Sequence, residues 1–322
     1  MTNEPVHDKA VIIGISGPSS SGKTTLARLL QRVFCGVNLK SKDKHLNTFI
    51  IHEDDFYFPD DKIPYTTTAS GAKIQDWDTA SAIDIPFLSQ ALHYVRSNGT
   101  LPPRLRSKED QNDQTDSGVS EEVVQELRGV VSSRLQDAGG ESKDITIAFL
   151  EGFLLFAPPG KERHVLRSVH DAVHLRLFLP AAYEIVKARR ERRSGYVTVG
   201  PGAEPPVSSS GHGGAGEETV IDLDAEDDRP PQNFWVDPPG YVDDVVWPRY
   251  VADHAWLLIA EDEGGDTEGR DTEADLVRRV GDGTRARTDV GIEVAPGCGS
   301  AGMDVVLKWA VELILGYYLD RT

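Results

Sequence analysis

Several features that mark other classes of protein are scarce or missing in this sequence. Only two cysteines, Cys35 and Cys298, occur in 322 residues, and they form neither a disulfide framework nor a metal-binding spacing. No run of Lys and Arg offsets a formal net charge of -18, which argues against nucleic acid as a partner. Because the start is polar and no apolar run is long enough to span a bilayer, we expect a cytoplasmic protein without a membrane partner.

The sequence does contain short apolar runs that alternate with segments of helical periodicity. The apolar runs predict buried strands at 10–16, 47–55, 145–156, 174–180 and 290–295. Apolar residues at helical spacing predict helices at 23–34, 80–97, 120–136, 181–195 and 303–319. Strands that alternate with helices predict an α/β fold with a parallel sheet.

Three polar segments interrupt this pattern. Residues 100–144 are expected to form a polar insertion with one helix, and residues 261–288 an acidic loop. Residues 197–232 are rich in Gly, Pro, Ser and carboxylates, and we expect them to be disordered, because they cannot bury enough apolar area to offset their ordering entropy. Residues 1–322 are interpreted as one domain that includes these three segments.

The segment GPSSSGKT fits the phosphate-binding pattern G-x-x-x-x-G-K-[ST], and it lies between a predicted strand and a predicted helix as that motif requires. Backbone N–H groups must surround a polyphosphate, so glycines permit an approach that a Cβ would block. The start of the helix adds partial positive charge. We therefore predict a nucleotide site formed by Gly17, Ser19, Ser20, Ser21, Gly22, Lys23, Thr24 and Thr25.

The same segment predicts the chemistry of the phosphate donor. Lys23 can reach the β- and γ-phosphates, and the Thr24 hydroxyl can bind Mg²⁺. Glu151 ends the apolar run ITIAFLE, where P-loop proteins place a carboxylate that faces the metal. No Asn-Lys-x-Asp sequence follows a late strand, which disfavours a GTPase, so ATP is the expected donor and GTP stays open.

Acidic and aromatic residues near the second strand suggest an acceptor site. Asp54 and Asp55 end that strand at the carboxyl edge of the sheet, where Asp54 could accept the proton of a hydroxyl. The alternative is that they cap the next turn. Asp78 could accept hydrogen bonds from two ribose hydroxyls, and the adjacent Trp77 could stack on a base-like ring.

A cluster of arginines is a candidate for closing over the transferred phosphoryl group. The segment KARRERR ends the predicted basic helix and supplies Arg189, Arg190, Arg192 and Arg193. Arginine suits bidentate phosphate contacts, and some of the four are expected to lie on a solvated helix face instead.

Taken together, IIGISGPSSSGKTT, EDDFYFP, DWD, FLEGFLLF, RRERR and DPPGYVDDVVWPRY resemble the nicotinamide riboside kinases over most of residues 10–260. The resemblance implies a P-loop NTPase-type three-layer sandwich with a five-stranded parallel sheet and a lid segment. It implies ATP-dependent phosphorylation of the ribose 5′-hydroxyl of nicotinamide riboside, with nicotinic acid riboside as a second substrate. The implied product, nicotinamide mononucleotide, belongs to NAD salvage.

The resemblance also implies roles for individual residues. Asp54 matches the family's catalytic base, Glu151 the magnesium carboxylate, and Asp78 the acid that holds the ribose hydroxyls. Arg190 and Arg193 match lid arginines. Trp77 matches one ring-stacking aromatic residue, whereas Tyr196, Phe234 and Trp235 compete for the second, with Tyr196 and Trp235 favoured. The implied substrate-binding residues are Asp54, Asp55, Trp77, Asp78, Tyr196, Trp235 and Asp237.

Two other functions fit parts of the pattern. A uridine or cytidine kinase would share the phosphate-handling residues and differ in the base pocket. A P-loop protein without turnover, acting as an interaction scaffold, would bind ATP only, although each catalytic position carries a competent residue.

Overall fold

The computed structural model of the chain describes residues 8–39, 45–103, 105, 107, 116–137, 146–198, 200–201, 233–259 and 271–320. Within these ranges the strands are β1 (Ala10–Ser16), β2 (Thr48–His52), β3 (Tyr65–Thr67), β4 (Lys73–Gln75), β5 (Thr146–Glu151), β6 (Leu175–Phe178), β7 (Tyr196–Thr198), β8 (Asn233–Trp235) and β9 (Glu293–Val294).

Five of these strands form a parallel sheet in the order β2-β5-β1-β6-β9. Strand β1 is central, and every residue of its sequence AVIIGIS is buried. That burial explains why the run is continuously apolar, since helices cover both faces of a parallel sheet. The predicted α/β fold with a five-stranded parallel sheet is confirmed.

The helices are α1 (Lys23–Phe34), α2 (Ile85–Asn98), α3 (Glu121–Asp137), α4 (Arg167–Ala172), α5 (Tyr183–Arg190), α6 (Trp247–Leu258), α7 (Glu273–Val280) and α8 (Met303–Leu319). Helices α1, α3 and α8 share one apolar core, and α2, α4 and α6 share another. Alternate residues of β1 enter the two cores, so the sheet lies between two helical layers. Among the helices described, none is both long and apolar enough to cross a membrane.

The predicted polar insertion at 100–144 and the predicted acidic loop at 261–288 each contain a helix that packs on the rest of the domain. Helix α3 of the 100–144 segment buries Val124, Leu127, Val131 and Leu135, whose spacing places them on one face against α1 and α8. Within the 261–288 segment, α7 begins at a capping box between Thr272 and Asp275 and packs on α6. Residues 104, 106, 108–115, 138–145 and 260–270 lie outside the described residues.

Two small antiparallel hairpins stand apart from the central sheet. One pairs β3 with β4, and the other pairs β7 with β8 in the register Tyr196 to Trp235 and Thr198 to Asn233. The β7–β8 hairpin connects through the predicted insertion at 197–232, of which residue 199 and residues 202–232 lie outside the described residues.

Candidate active site

A cleft of about 1000 Å³ lies at the carboxyl edge of the parallel strands, where ligands bind in open α/β folds. Its two ends differ in composition. We call one the P-loop end, which is lined by residues 19–25, Arg28, Pro296, Gly302, Met303 and Val306. We call the other the aromatic end, which is lined by Tyr57, Trp77, Asp78, Phe153, Arg190, Tyr196 and Trp235. Asp54 and Glu151 also line the cleft.

The loop after β1 has the backbone shape that a phosphate site needs. Gly17 has φ +150°, and a Cβ there would collide with the carbonyl oxygen of Leu179. Gly22, directly before α1, has φ +100°, which a side chain would strain. Non-glycine Ser20 also has a positive φ of 61°. The loop therefore curves around the first turn of α1, whose N–H groups face the cleft unpaired within the helix.

Polar side chains in this loop are poised for an anion. Lys23 is buried, its Nζ donates to the carbonyl of Pro18 over 2.9 Å, and burial lowers the pKa of its ammonium group. The hydroxyls of Ser20 and Ser21 are buried and have no hydrogen-bond partner among the described residues. Buried hydroxyls without partners are uncommon, and phosphate oxygens would supply acceptors for both.

Next to the loop, Thr24 and His52 both donate hydrogen bonds to one carboxylate oxygen. Thr24 Oγ1 lies 2.9 Å from Glu151 Oε1, and His52 Nδ1 lies 2.7 Å from the same atom. The strand register brings these groups together, because Glu151 pairs with Ile15 of β1 and with His52 of β2. Burial acts to raise the pKa of Glu151, but the hydrogen bond and charge of His52 lower it overall. Glu151 is therefore ionised at neutral pH.

The three consecutive acids after β2 take different positions. They lie in a 3₁₀ turn, Glu53–Phe56, which rotates each residue by about a third of a turn from the last. Asp54 lines the cleft and is exposed to it, whereas Glu53 and Asp55 are buried. Asp55, predicted to bind substrate, is not among the residues that line the cleft. Its role in substrate binding therefore stays a prediction, and the 3₁₀ turn directs the side chains of Asp54 and Asp55 to different sides.

Asp54 has an unusual electrostatic environment. Desolvation by the surrounding protein, reinforced by the negative charge of Glu151, raises its pKa to about 6, while Lys23 and His52 act in the opposite direction. A carboxyl group with this pKa is mostly ionised at pH 7 and still basic enough to accept a proton.

Glu53 supports the loop that follows β5. Its Oε2 accepts hydrogen bonds from the backbone N–H groups of Phe153 (2.7 Å) and Leu154 (3.0 Å). A Cβ on Gly152 would collide with this carboxyl group, so glycine is needed there. Burial raises the pKa of Glu53 to about 8, and its Oε1 has no partner among the described residues. Glu53 is therefore largely protonated at neutral pH.

At the aromatic end, Arg190 is bound by two carboxylates. Its Nη1 and Nη2 donate to the two oxygens of Asp78 over 2.8 and 3.0 Å, and its Nε donates to Asp237 over 2.7 Å. Arg190 and Asp78 are both buried, and Arg190 also lies over the rings of Tyr196 and Tyr241. An arginine held in this way cannot swing onto a phosphate without breaking these contacts. Arg193 is exposed and lines the cleft.

Aromatic rings form the rest of this end. Trp77 contacts Tyr57 edge-on at 5.3 Å between centroids and Trp235 at 5.6 Å, and Tyr57 stacks on Phe153 at 6.4 Å. The indole N–H of Trp77 and the hydroxyl of Tyr196 are buried without a partner in the described part of the chain. Of the competing aromatic residues, Tyr196 and Trp235 line the cleft, whereas Phe234 is 52% exposed and does not.

The structure thus brings most of the predicted site residues to one cleft. Asp237 contacts it indirectly, through Arg190 and the indole N–H of Trp235. Sequence reasoning missed His52, Glu53, Tyr57 and Phe153, which act beside those residues. Tyr57 and Phe153 stood inside the quoted motifs DDFYFP and EGFLLF. His52 carried no signal of its own, because its role depends on strand register.

Comparisons with known proteins identify the family that the chain resembles. Residues 12–126 match the family model described as the phosphoribulokinase / uridine kinase family. This segment contains the P-loop, the acidic turn and the Trp77–Asp78 pair.

Curated relatives cover more of the chain. It is 31% identical over 257 residues to the nicotinamide riboside kinase of Schizosaccharomyces pombe, covering 80% of this chain and 84% of the relative. Against the nicotinamide riboside kinase of Saccharomyces cerevisiae, identity is 28% over 262 residues, with 81% and 82% covered. Against human nicotinamide riboside kinase 1, it is 26% over 279 residues, with 84% and 90% covered.

Proposed function

The chain belongs to the nicotinamide riboside kinase family, and on that premise we propose that it transfers the γ-phosphoryl group of ATP to the 5′-hydroxyl of nicotinamide riboside. The products are ADP and nicotinamide mononucleotide. Nicotinic acid riboside is the second acceptor we propose. The chain is a phosphotransferase, and a uridine kinase is not favoured, because the relatives that cover most of the chain are nicotinamide riboside kinases.

One observation carries the proposal most directly. Asp54 lies in the cleft between a phosphate-binding loop and an aromatic pocket that holds a buried acid, Asp78. A hydroxyl acceptor bound in that pocket would have its reacting oxygen beside a carboxylate whose pKa of about 6 suits proton transfer.

At the P-loop end, backbone N–H groups of residues 19–25 bind the phosphates of the donor. Lys23 contributes a positive charge, and its hydrogen bond to the Pro18 carbonyl holds its ammonium group in place. Catalysis of phosphoryl transfer depends mainly on such positioning and on neutralising charge.

The residues present fit a magnesium ion. Mg²⁺ prefers hard oxygen ligands and usually binds through one or two carboxylates plus substrate phosphates. The Thr24 hydroxyl and the ionised Glu151 carboxylate supply such oxygens side by side, and we propose that they hold the ion. When bound, Mg²⁺ would neutralise charge on the donor phosphates.

At the aromatic end, Asp78 accepts hydrogen bonds from the ribose hydroxyls. Burial raises the pKa of Asp78, whereas the charge and hydrogen bonds of Arg190 act to lower it and orient the carboxylate. Trp77 and Tyr196 contact the pyridine ring. Their unpartnered N–H and O–H groups favour a ring that carries a hydrogen-bond acceptor, such as a carboxamide oxygen.

The chemical step needs one proton transfer. Asp54 accepts the proton of the 5′-hydroxyl as that oxygen bonds to the γ-phosphorus, and the bond from phosphorus to the β-γ bridging oxygen breaks to release ADP. Arg193, exposed at the cleft, is the proposed arginine that neutralises charge on the transferred group.

The decisive experiment measures kcat/KM for nicotinamide riboside, nicotinic acid riboside, uridine and cytidine side by side with ATP. We expect the two pyridine ribosides to be preferred. If uridine or cytidine has the higher kcat/KM, the proposed substrate is wrong, although the phosphotransferase chemistry stands. The same panel with GTP as donor addresses the nucleotide preference.

A further inference from the structure

Asp60 lies six residues beyond Asp54 and binds both strands of the β7–β8 hairpin. Its Oδ2 accepts hydrogen bonds from Thr198 Oγ1 (2.8 Å) and Asn233 Nδ2 (3.0 Å). Its Oδ1 accepts from the backbone N–H of Gly200 (3.0 Å), and its own N–H donates to the Gly200 carbonyl (2.9 Å). One carboxylate therefore holds the end of β7 and the beginning of β8.

The pairing between the two strands of the hairpin is short, although its aromatic side chains also contact Trp77, Tyr241 and Arg190. Each strand has three residues, and residues 199–232 separate the two strands in the sequence. An isolated two-stranded hairpin is marginal even with a short turn, and a longer connection adds closure entropy. The contacts with Asp60 link the end of β7 to the beginning of β8 and so help to keep the two strands in register.

The contacts act on the hairpin face that carries Tyr196 and Trp235, and Thr198 on that face itself lines the cleft. Side chains two residues apart on a strand share a face, so Thr198 lies on the same face as Tyr196, and Asn233 on the same face as Trp235. The register places Tyr196 opposite Trp235, and both line the aromatic end. Fixing Thr198 and Asn233 therefore fixes the two aromatic rings.

Asp60 also joins the other segments of the aromatic end. Gln75 Nε2 donates to the Asp60 carbonyl over 2.6 Å, and Gln75 precedes Trp77 by two residues. Tyr57, three residues before Asp60, donates its hydroxyl to the Trp77 carbonyl over 3.0 Å. Thus Asp60 contacts or adjoins each of the three segments that supply Tyr57, Trp77 and the Tyr196–Trp235 pair.

From this arrangement we propose that Asp60 is a positioning residue for the acceptor: it holds the β7–β8 hairpin so that Tyr196 and Trp235 can contact the bound riboside. The proposal rests on the proposed function for the identity of the acceptor. Asp60 touches no reacting group and is not among the residues lining the cleft. Its contribution therefore belongs to acceptor binding and not to the chemical step or to ATP.

The kinetic test uses Asp60→Ala together with the matched pair Thr198→Val and Thr198→Ser. Valine keeps the shape of threonine but cannot donate, whereas serine keeps the hydroxyl. We expect D60A to raise KM for nicotinamide riboside about tenfold and T198V to raise it severalfold, since each loses hydrogen bonds to a charged group. T198S should stay near the wild-type value, and KM for ATP should change by less than about twofold in all three.

A second measurement does not depend on activity. Amide hydrogen exchange at residues 196–198 and 233–235 should be about tenfold faster in D60A than in the wild type, with exchange in β1 and β5 unchanged. If the wild-type protein fails to phosphorylate nicotinamide riboside, the proposed function fails while this measurement still tests Asp60. If D60A unfolds, T198V against T198S supplies the same comparison.

Three results would overturn the proposal. The first is an equal KM for the riboside in T198V and T198S, because the hydrogen bond to Asp60 would then make no difference to acceptor binding. The second is an equal rise of both Michaelis constants in D60A, which would indicate general destabilisation. The third is wild-type exchange in the hairpin of a folded D60A or T198V protein.

Discussion

The two ends of the cleft are built in different ways. At the P-loop end, the phosphate-binding loop is one continuous segment, Gly17 to Thr25, formed by backbone conformation and a helix start, and residues of the C-terminal region only complete the lining. The aromatic end is formed by side chains drawn from separate parts of the chain, including Tyr57, Trp77, Arg190 and Trp235. A site formed by local backbone can be recognised in the sequence, whereas one formed by distant side chains depends on the completed fold.

The difference also separates two functions. In the proposed function, the P-loop end binds the phosphates that all triphosphate donors share, largely with backbone groups that most side-chain changes leave in place. In the proposed function, the aromatic end distinguishes one acceptor from another, through Asp78, Trp77 and the rings of the β7–β8 hairpin. Changes at the two ends should therefore affect different Michaelis constants.

The largest effect is expected where the two ends meet. Replacing Asp54 with Asn removes the proposed base and should lower kcat by about 10²- to 10⁴-fold. ATP binding, measured by calorimetry, should be retained, because Asp54 is not part of the phosphate-binding loop. The control is Asp55→Asn, adjacent in sequence but outside the cleft lining. If a folded D55N variant loses as much turnover as D54N, the assignment to Asp54 is wrong.

A glycine change should break the P-loop end. In Gly17→Ala the new methyl group would collide with the Leu179 carbonyl, so the loop must move. Because a displacement of about 1 Å can cost about 100-fold, kcat/KM for ATP should fall at least that far. Ser19→Ala is the matched control and should change it less than about twofold, since the proposed contact is through backbone. A large loss in S19A would show that the Ser19 side chain itself contributes to donor binding.

The same contrast explains what could be predicted from the sequence. Buried strands such as β1 and the helix after the P-loop follow from local pattern, and the structure has them at the expected residues. Helix α7 was missed because acidic composition outweighed its capping signal, Thr272-x-x-Asp275. Asp54 and Asp55 could not be separated, because the 3₁₀ turn that parts them leaves no mark in the sequence. The contacts of Asp60 with Thr198 and Asn233 span a long insertion, and no local pattern reports them.

Asp78 tests the aromatic end directly. Asp78→Asn keeps the shape but removes the carboxylate that binds Arg190 and that we propose binds the ribose hydroxyls. Hydrogen bonds to charged groups contribute about 1.5 to 3 kcal/mol, so KM for nicotinamide riboside should rise about 10- to 100-fold. KM for ATP should stay close to the wild-type value. The wild type should also discriminate against a 2′-deoxyriboside, and D78N should lose that discrimination. Equal changes in both Michaelis constants would contradict the separation of the two ends.

The pH dependence of the reaction should follow the acid at the junction. With a pKa of about 6, Asp54 is protonated and inactive as a base at lower pH, and ionised above. At saturating ATP, kcat/KM for the riboside should therefore fall about tenfold per pH unit below 6 and reach a plateau near pH 7. The residual activity of D54N should not show this decrease in kcat/KM below pH 6. A wild-type profile that is flat between pH 5 and 7 would exclude Asp54 as the titrating base.

The smallest effect is expected on the pH dependence of stability, through Glu53, which holds the loop after β5. The ordinary pKa of Glu53 is 4.5 and burial raises it to about 8, so the folded protein holds a proton that the unfolded chain releases between these values. Stability should then decrease as pH rises from 4.5 towards 8 and level off above it. Glu53→Gln is neutral throughout and can still accept hydrogen bonds from Phe153 and Leu154. The decrease in Tm between pH 5 and pH 8 should therefore be a few degrees smaller in E53Q than in the wild type.

Glu184→Gln, at an exposed position on α5, is the control and should show the same decrease in Tm with pH as the wild type. A slope in E53Q equal to that of the wild type would mean that Glu53 is ionised in the folded protein and that the loop after β5 is held by a carboxylate.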